Sequence, residues 1–134
     1  MATLDYQLDA ETRRKDNVLL SGLDQWDLPL DSIIAVRGYV HGASGSEYHF
    51  NLGFDPRIPG VGIFCDDPNH GSAEHLAVLQ KLSVRLNTEI DPATGEGSFV
   101  KPQNKRSLVT ILNGIFDDFN VPDKDKSVVI DYRK

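Results

Sequence analysis

One cysteine, Cys65, one tryptophan, Trp26, and one methionine stand among 134 residues. A single thiol makes no internal disulfide, so nothing staples the fold and it must rest on its own core. A reducing compartment suits such a chain, and the cytoplasm is the expected location. Long apolar runs are missing too. The longest uncharged apolar stretches, such as residues 32–36, fall far short of the roughly 20 residues a spanning helix needs. The opening MATLDYQLDAETRRKD carries acids where a secretion signal would carry its apolar segment. Neither export nor membrane insertion is expected. Repeats and low-complexity tracts are absent, and no motif fixes a reaction, a metal or a cofactor.

Concentrated positive charge is lacking as well. The formal net charge is −6, and residues 1–67 hold 11 acids against 5 bases, while residues 68–134 hold 9 of each. Basic residues cluster only at Arg13, Arg14, Lys15 and at Lys101, Lys105, Arg106, each diluted by nearby acids. Phosphate backbones are bound through larger Lys and Arg groupings, so nucleic acid is a poor candidate partner.

What is present is an ordinary globular balance, 40% hydrophobic and 25% charged residues, which argues against wholesale disorder. The length fits one domain over residues 1–134, with 1–30 as a less regular leading segment. Within that segment, residues 10–24 place Val18, Leu19, Leu20 and Leu23 at an approximately helical spacing.

The clearest pattern begins at Ile33. GASGS at 42–46 is a turn cluster, and its flanks IIAVRGYVH and EYHFNLGF are rich in β-branched and aromatic residues, which predicts a hairpin over 33–54. With His41 opposite Glu47, antiparallel pairing sets Tyr39 against His49, Arg37 against Asn51 and Ala35 against Gly53 on one face. The other face pairs Val40 with Tyr48, Gly38 with Phe50, Val36 with Leu52 and Ile34 with Phe54, and must pack on something. A one-residue slip would bury Arg37, His49 and Asn51 and expose Phe50 and Phe54, at a cost of about several kcal/mol.

Beyond the hairpin, VGIFC predicts an uninterrupted, buried strand near 61–65. Leu76, Leu79, Leu82, Leu86 and Ile90 then recur at steps of three and four, which predicts an amphipathic helix over 72–90, capped by Ser72 and ended by Asp91 and Pro92. A short strand is expected at 98–100. In RSLVTILNGIFDDFN the Asn113-Gly114 pair signals a hairpin turn, yet Leu108, Ile111, Leu112, Ile115, Phe116 and Phe119 lie on one helical stripe. Periodicity favours a helix over 107–120, at about 1 kcal/mol for the internal glycine. Ser107 is its expected cap, and SVVIDY supplies a strand at 127–132. The whole reads as an α+β fold, an antiparallel-rich mixed sheet with helices on one face. Val36, Phe50, Leu52, Phe54, Leu79, Leu82, Ile111, Phe116 and Val129 are its expected core.

Two constellations offer chemistry. CDDPNHGS at 65–72 leaves a strand and enters a helix N-terminus, where ligands often sit. Asp66, Asp67, His70 and His75 are metal-ligand types, but their spacing matches no standard site. Cys65 ends an apolar strand with no adjacent base and reads as a packed thiol. The second constellation is the polar hairpin face, where Arg37, Tyr39, His41, Glu47, His49 and Asn51 gather donors, acceptors and aromatic surface suited to recognition. The alternative for that face is a plain solvated sheet surface.

Two segments resemble known families. VRGYVHGASGSEYHFNLGFD, about twenty residues, resembles the galectin segment leading to an NLG-bearing strand. The sugar-contacting pattern of that family is replaced here by IFCDDPN, and its later tryptophan is absent, so the resemblance carries no sugar site across. PQNKRSLVTILNGIFDDFNVPDKDKSVVIDY, some thirty residues, is similar to the closing helix and strand of the macrophage migration inhibitory factor tautomerases. Those enzymes use an N-terminal proline, whereas this chain begins Met1-Ala2. The two resemblances imply incompatible folds.

The expected function is a non-catalytic binding module that recognises a polar small ligand or a protein partner through Arg37, Tyr39, His49 and Asn51. Self-association is compatible with this pattern. The rivals are a small enzyme centred on Asp66, Asp67 and His70, and an acidic inhibitor or immunity-type protein that meets a basic partner through charge steering.

Overall fold

A computed structural model describes residues 13–55 and 60–133. The elements are β1 (Arg13–Leu19), β2 (Ile33–His41), β3 (Glu47–Gly53), β4 (Gly60–Cys65), α1 (Ala73–Leu86), β5 (Glu96–Gly97), α2 (Lys105–Asp118) and β6 (Ser127–Arg133), with short 3₁₀ turns between some of them. The strands form one six-stranded sheet in the order β1-β6-β2-β3-β4-β5. Every pairing is antiparallel, so the sheet is not mixed, and the fold is α+β.

The hairpin takes the register its alternation predicts, from Ala35 opposite Gly53 to His41 opposite Glu47. At its base the β2–β6 register shifts between Ile33 and Ala35, and the Ile34 carbonyl accepts from both Phe54 and Asp55 amides at 2.8 and 3.1 Å. This bulge lets Ile33, Ile34, Ala35 and Val36 all be buried in succession.

The inner face of the sheet carries Val36, Val40, Tyr48, Phe50, Leu52, Val61, Ile63, Val128 and Ile130 against Val78, Leu79 and Leu82 of α1 and Leu108, Leu112, Ile115 and Phe116 of α2. Phe50 and Phe116 meet with ring centroids 6.0 Å apart. Burying each such ring stabilises the fold by about 2–3 kcal/mol. Among the described residues no helix is long and apolar enough to cross a membrane.

Both helices form where the apolar periodicity predicts. Ser72 caps α1 by accepting from the His75 amide at 3.0 Å, and Asn87, at φ 53°, ends it in the left-handed conformation before Asp91 and Pro92 are reached. Ile90 therefore leaves the helix and bridges Gly97 instead. The cap of α2 is Asn104, which accepts from the Ser107 amide at 2.8 Å, so Ser107 lies inside the helix. Gly114 sits mid-helix under Arg85 of α1, where a Cβ would come within 2.8 Å of the Arg85 Nε. Arg85 continues to a two-pronged pair with Asp118 at 2.9 and 2.8 Å, so the glycine opens a slot for an inter-helix tie.

Several expectations are corrected. Residues 13–19 are a strand, and only 20–25 turn, as a 3₁₀ helix, where a helix over 10–24 is expected. RRKDNVL pairs with β6 through its backbone, and among the described residues no strand lies beyond its outer edge, so a strand forms without an apolar face. Residues 10–12 of that helix, and the rest of the leading 1–12, lie outside the described residues, as do 56–59 of the DPRIPG turn. The strand expected at 98–100 is displaced to Glu96–Gly97, while Phe99 packs on Phe54 at 5.6 Å. Phe64 in β4 is not buried but 54% exposed. Val129 is half-buried, because Val128, Ile130 and Tyr132 take the inward positions of β6. Ile111 is also half-buried, at the border of the α2 stripe.

Candidate functional site on the open face of the sheet

With both helices on one side, no helix among the described residues covers the other face of the sheet, and its register sets side chains into rows across the strands. One row runs Tyr39, His49, Phe64. The next runs Asn17, Val129, Arg37, Asn51, Gly62, Glu96. The third runs Lys15, Asp131, Ala35, Gly53, Gly60. Small residues at Ala35, Gly53, Gly60 and Gly62 lower the floor on the β3–β4 side. Larger side chains stand around it.

The result is a shallow, open trough of about 680 Å³, within the size range of small-molecule sites. Arg13, Arg37 and Asp131 close one end, His49 and Phe64 form a side, and Glu96 stands at the far end. The Phe64 ring lies over Gly62, where a Cβ would come within 3.0 Å of it. The glycine lets the ring lie close against the strand, where a larger residue would push it outward.

Electrostatically the trough is built around Asp131. Its carboxylate is buried. Arg37 donates to Oδ2, and the Arg13 guanidinium stands 3.5 Å from that same oxygen. The other oxygen, Oδ1, is buried and has no hydrogen-bond partner among the described residues, and the same is true of Asn51 Oδ1. Both residues line the trough. An unmet buried acceptor costs about 1–3 kcal/mol, so two of them in one concavity are a specific feature of this face. His49 is held from the side by Glu47, Nε2 to Oε1 at 2.7 Å.

Of the four residues singled out from the sequence, Arg37, His49 and Asn51 come together in the trough. Tyr39 does not line it. Its ring meets His49 at 5.9 Å and His41 at 5.9 Å, and it borders a separate groove of about 500 Å³ with Phe119, Val121 and Lys124. Sequence reasoning missed Asp131, Arg13 and Phe64. For Asp131 a signal existed, since SVVIDYR alternates and the phase that buries Val128, Ile130 and Tyr132 turns Asp131 onto the Arg37 face.

The 65–72 loop is occupied with its own structure. Residues 67–69 form a 3₁₀ turn, and His70 packs on His75 at 5.0 Å. The buried His75 accepts from the Gly71 amide at Nδ1, 2.8 Å away, and stacks on Tyr48 at 5.9 Å. Burial, and secondarily His70, push the His75 pKa down. Burial, then the hydrogen bond to Glu74, raise the Tyr48 hydroxyl to about 12, and burial with Asp66 and Asp67 pushes the Cys65 thiol up. These directions favour neutral, inert groups. Among the described residues no three His, Cys, Asp or Glu side chains gather in a way that could hold a metal ion.

No family model, no curated protein and no solved structure matches the chain, so neither segmental resemblance extends to a family and the site is read from its own geometry.

Proposed function

We propose that the chain is a non-catalytic binding module that holds a small polar molecule in the trough on the open sheet face. The observation that carries this reading is that Asp131 and Asn51, two residues lining one concavity, each carry a buried acceptor, Oδ1, with no partner among the described residues. Folding alone selects against such atoms, and a ligand that donates to them removes the penalty. Arg37 supplies donors beside them, and the Phe64 and His49 rings supply flat surface for the apolar side of the same molecule. Tyr39 backs the His49 ring and acts through it.

Binding fits this arrangement better than turnover. Arg37 is engaged by Asp131, His49 by Glu47 and His75 by Gly71, so among the described residues that line the trough no nucleophile stands next to a free base. A thermal-shift screen of polar metabolites tests the reading, since a ligand at about 100 times its Kd stabilises by about 2.7 kcal/mol. A true ligand raises the Tm of the parent chain, and Asn51→Leu abolishes that shift while the circular dichroism spectrum stays unchanged. If hits keep their full shift in both Asn51→Leu and Phe64→Ala, the trough is not the site and the reading fails.

A further inference from the structure

We infer that the molecule bound in the trough is an anionic polyol, a sugar-like compound with one carboxylate or phosphate group and hydroxyls beside it. This inference rests on the binding reading above and adds the ligand's charge and chemistry.

The charge follows from an imbalance around Asp131. Two guanidiniums, Arg13 and Arg37, share one of its oxygens, so one carboxylate faces two positive groups. Lys15, the cross-strand partner of Asp131, adds a third on the same face. Among the described residues, the remaining charged groups near the trough do not redress this. Glu47 does not line the trough and stands at the turn end of β3, four residues from Asn51, and Arg133 is paired with Asp55 at 2.6 Å. Glu96 lies three strands from Arg37, roughly 14 Å away at the usual strand spacing. At that distance screening removes most of its effect. The β6–β2 end is therefore positive, and the Arg37 side chain is 45% exposed, open to a further anion. Planar guanidiniums hold carboxylate and phosphate oxygens well.

The hydroxyls follow from the two orphan oxygens. Asp131 Oδ1 and Asn51 Oδ1 only accept and are closed to solvent, so a ligand meets them only if their side chains turn toward the trough, and then as a donor. An amine would donate too, but an ammonium there would sit against Arg13 and Arg37. A neutral hydroxyl makes the same bond without that repulsion. The floor of Gly53, Gly60 and Gly62, with the exposed Phe64 ring, suits the C–H face of a saturated ring.

The test is an amide-resolved NMR titration of the full chain at about 0.15 M salt, where the screening length is about 8 Å, with glucuronate, glucose 6-phosphate, glucose and glucosamine. The expected result is that glucuronate or glucose 6-phosphate shifts the signals of Asn51, Gly62, Phe64 and Asp131 with at least tenfold higher affinity than glucose, and that glucosamine is the weakest. Which of the two anions is tighter identifies the acidic group. Arg13→Gln then lowers the affinity for the anions at least several-fold more than that for glucose, which shrinks their advantage. Arg13 is chosen because Arg37 is the main partner of a buried carboxylate and its loss threatens the fold. If glucose or glucosamine matches the anions at the same four signals, the charge inference is overturned while the trough stands as a binding site. If all four compounds leave those signals unmoved at millimolar concentration, or move only signals elsewhere, both are overturned.

Discussion

Arg37 and Asp131, 94 residues apart in the chain, form a pair in which the cation is half in solvent and the anion is fully buried. The two partners are therefore unequal. Without Arg37, Asp131 keeps only Arg13 at 3.5 Å, and a buried charge without adequate compensation costs about 3–5 kcal/mol. Without the carboxylate, Arg37 turns to water. Chemical denaturation should show Arg37→Met losing about 3 kcal/mol and Asp131→Asn clearly less, with Arg37→Met/Asp131→Leu recovering much of the single-variant loss. Equal costs for the two single changes would contradict the burial asymmetry.

Asn51 carries an acceptor that the folded chain does not satisfy. Replacing it with Thr, which keeps good strand propensity and places its hydroxyl nearer solvent, should raise stability by about 1 kcal/mol while ligand binding is lost. Denaturation midpoints measured without ligand check the first half. A destabilised Asn51→Thr would mean that the amide is satisfied in solution.

Gly38 lies under the ring of Phe50, where a Cβ would meet ring carbons at 2.5 and 2.8 Å. Gly38→Ala should therefore cost about 1–3 kcal/mol although alanine suits a strand better than glycine. Phe50→Ala should cost about 3–5 kcal/mol through the cavity it leaves. The double variant should fall short of the sum, because the ring that Gly38→Ala clashes with is gone.

His75 is buried and neutral, with its pKa held below the ordinary 6.5, first by burial and then by His70. In the unfolded chain it takes up a proton near 6.5, whereas the folded chain resists until lower pH. Its contribution is thus complete above about pH 6.5 and declines as pH falls toward the lowered folded-state value. Protonation would also put a hydrogen on the Nδ1 that accepts from Gly71. Denaturant midpoints should fall between pH 7 and 5, and His75→Leu should flatten that slope. An unchanged slope in the variant would assign the pH dependence to another group.

Glu74 ties the hairpin turn to the start of α1, accepting from the Ser44 amide and hydroxyl at 2.5 and 2.9 Å and from the Tyr48 hydroxyl at 2.8 Å. The Ser44 bonds, followed by that of Tyr48, hold its carboxyl below the usual range. Glu74→Ala should speed amide hydrogen exchange at Ser44 at least tenfold and leave Phe50 exchange unchanged. Equal acceleration at both amides would mean that the tie supports the whole sheet.

The hairpin was readable because its two faces differ so sharply that only one register buries Phe50, Leu52 and Val36 together. The helices were readable for the same reason, and even Gly114 did not hide the second one. What escaped was whatever depends on a neighbour distant in the chain. RRKDNVL has no apolar alternation and becomes a strand through backbone pairing with β6. Asp131 becomes a site residue only when β6 lies beside β2, a placement that local pattern does not encode. Three of the four expected site residues converge because one hairpin carries them, while Tyr39 faces a different groove for want of a wall on its side.

The strand order has a consequence for biosynthesis. β6 follows every other element in the chain yet lies between β1 and β2 in the sheet. While a ribosome is still making residues 127–133, β2, β3 and β4 are already able to pair, but β1 has no partner and the Ile33–His41 edge stands open. Translation proceeds at about 5–20 residues per second, so making these 7 residues takes roughly 0.4–1.4 s. During it the nascent chain displays an unpaired edge with Ile33, Val36 and Val40 along it, a surface for chaperones or for a neighbouring nascent copy. The trough on the open face is incomplete in that interval, since the strand that brings Asp131 also closes the sheet.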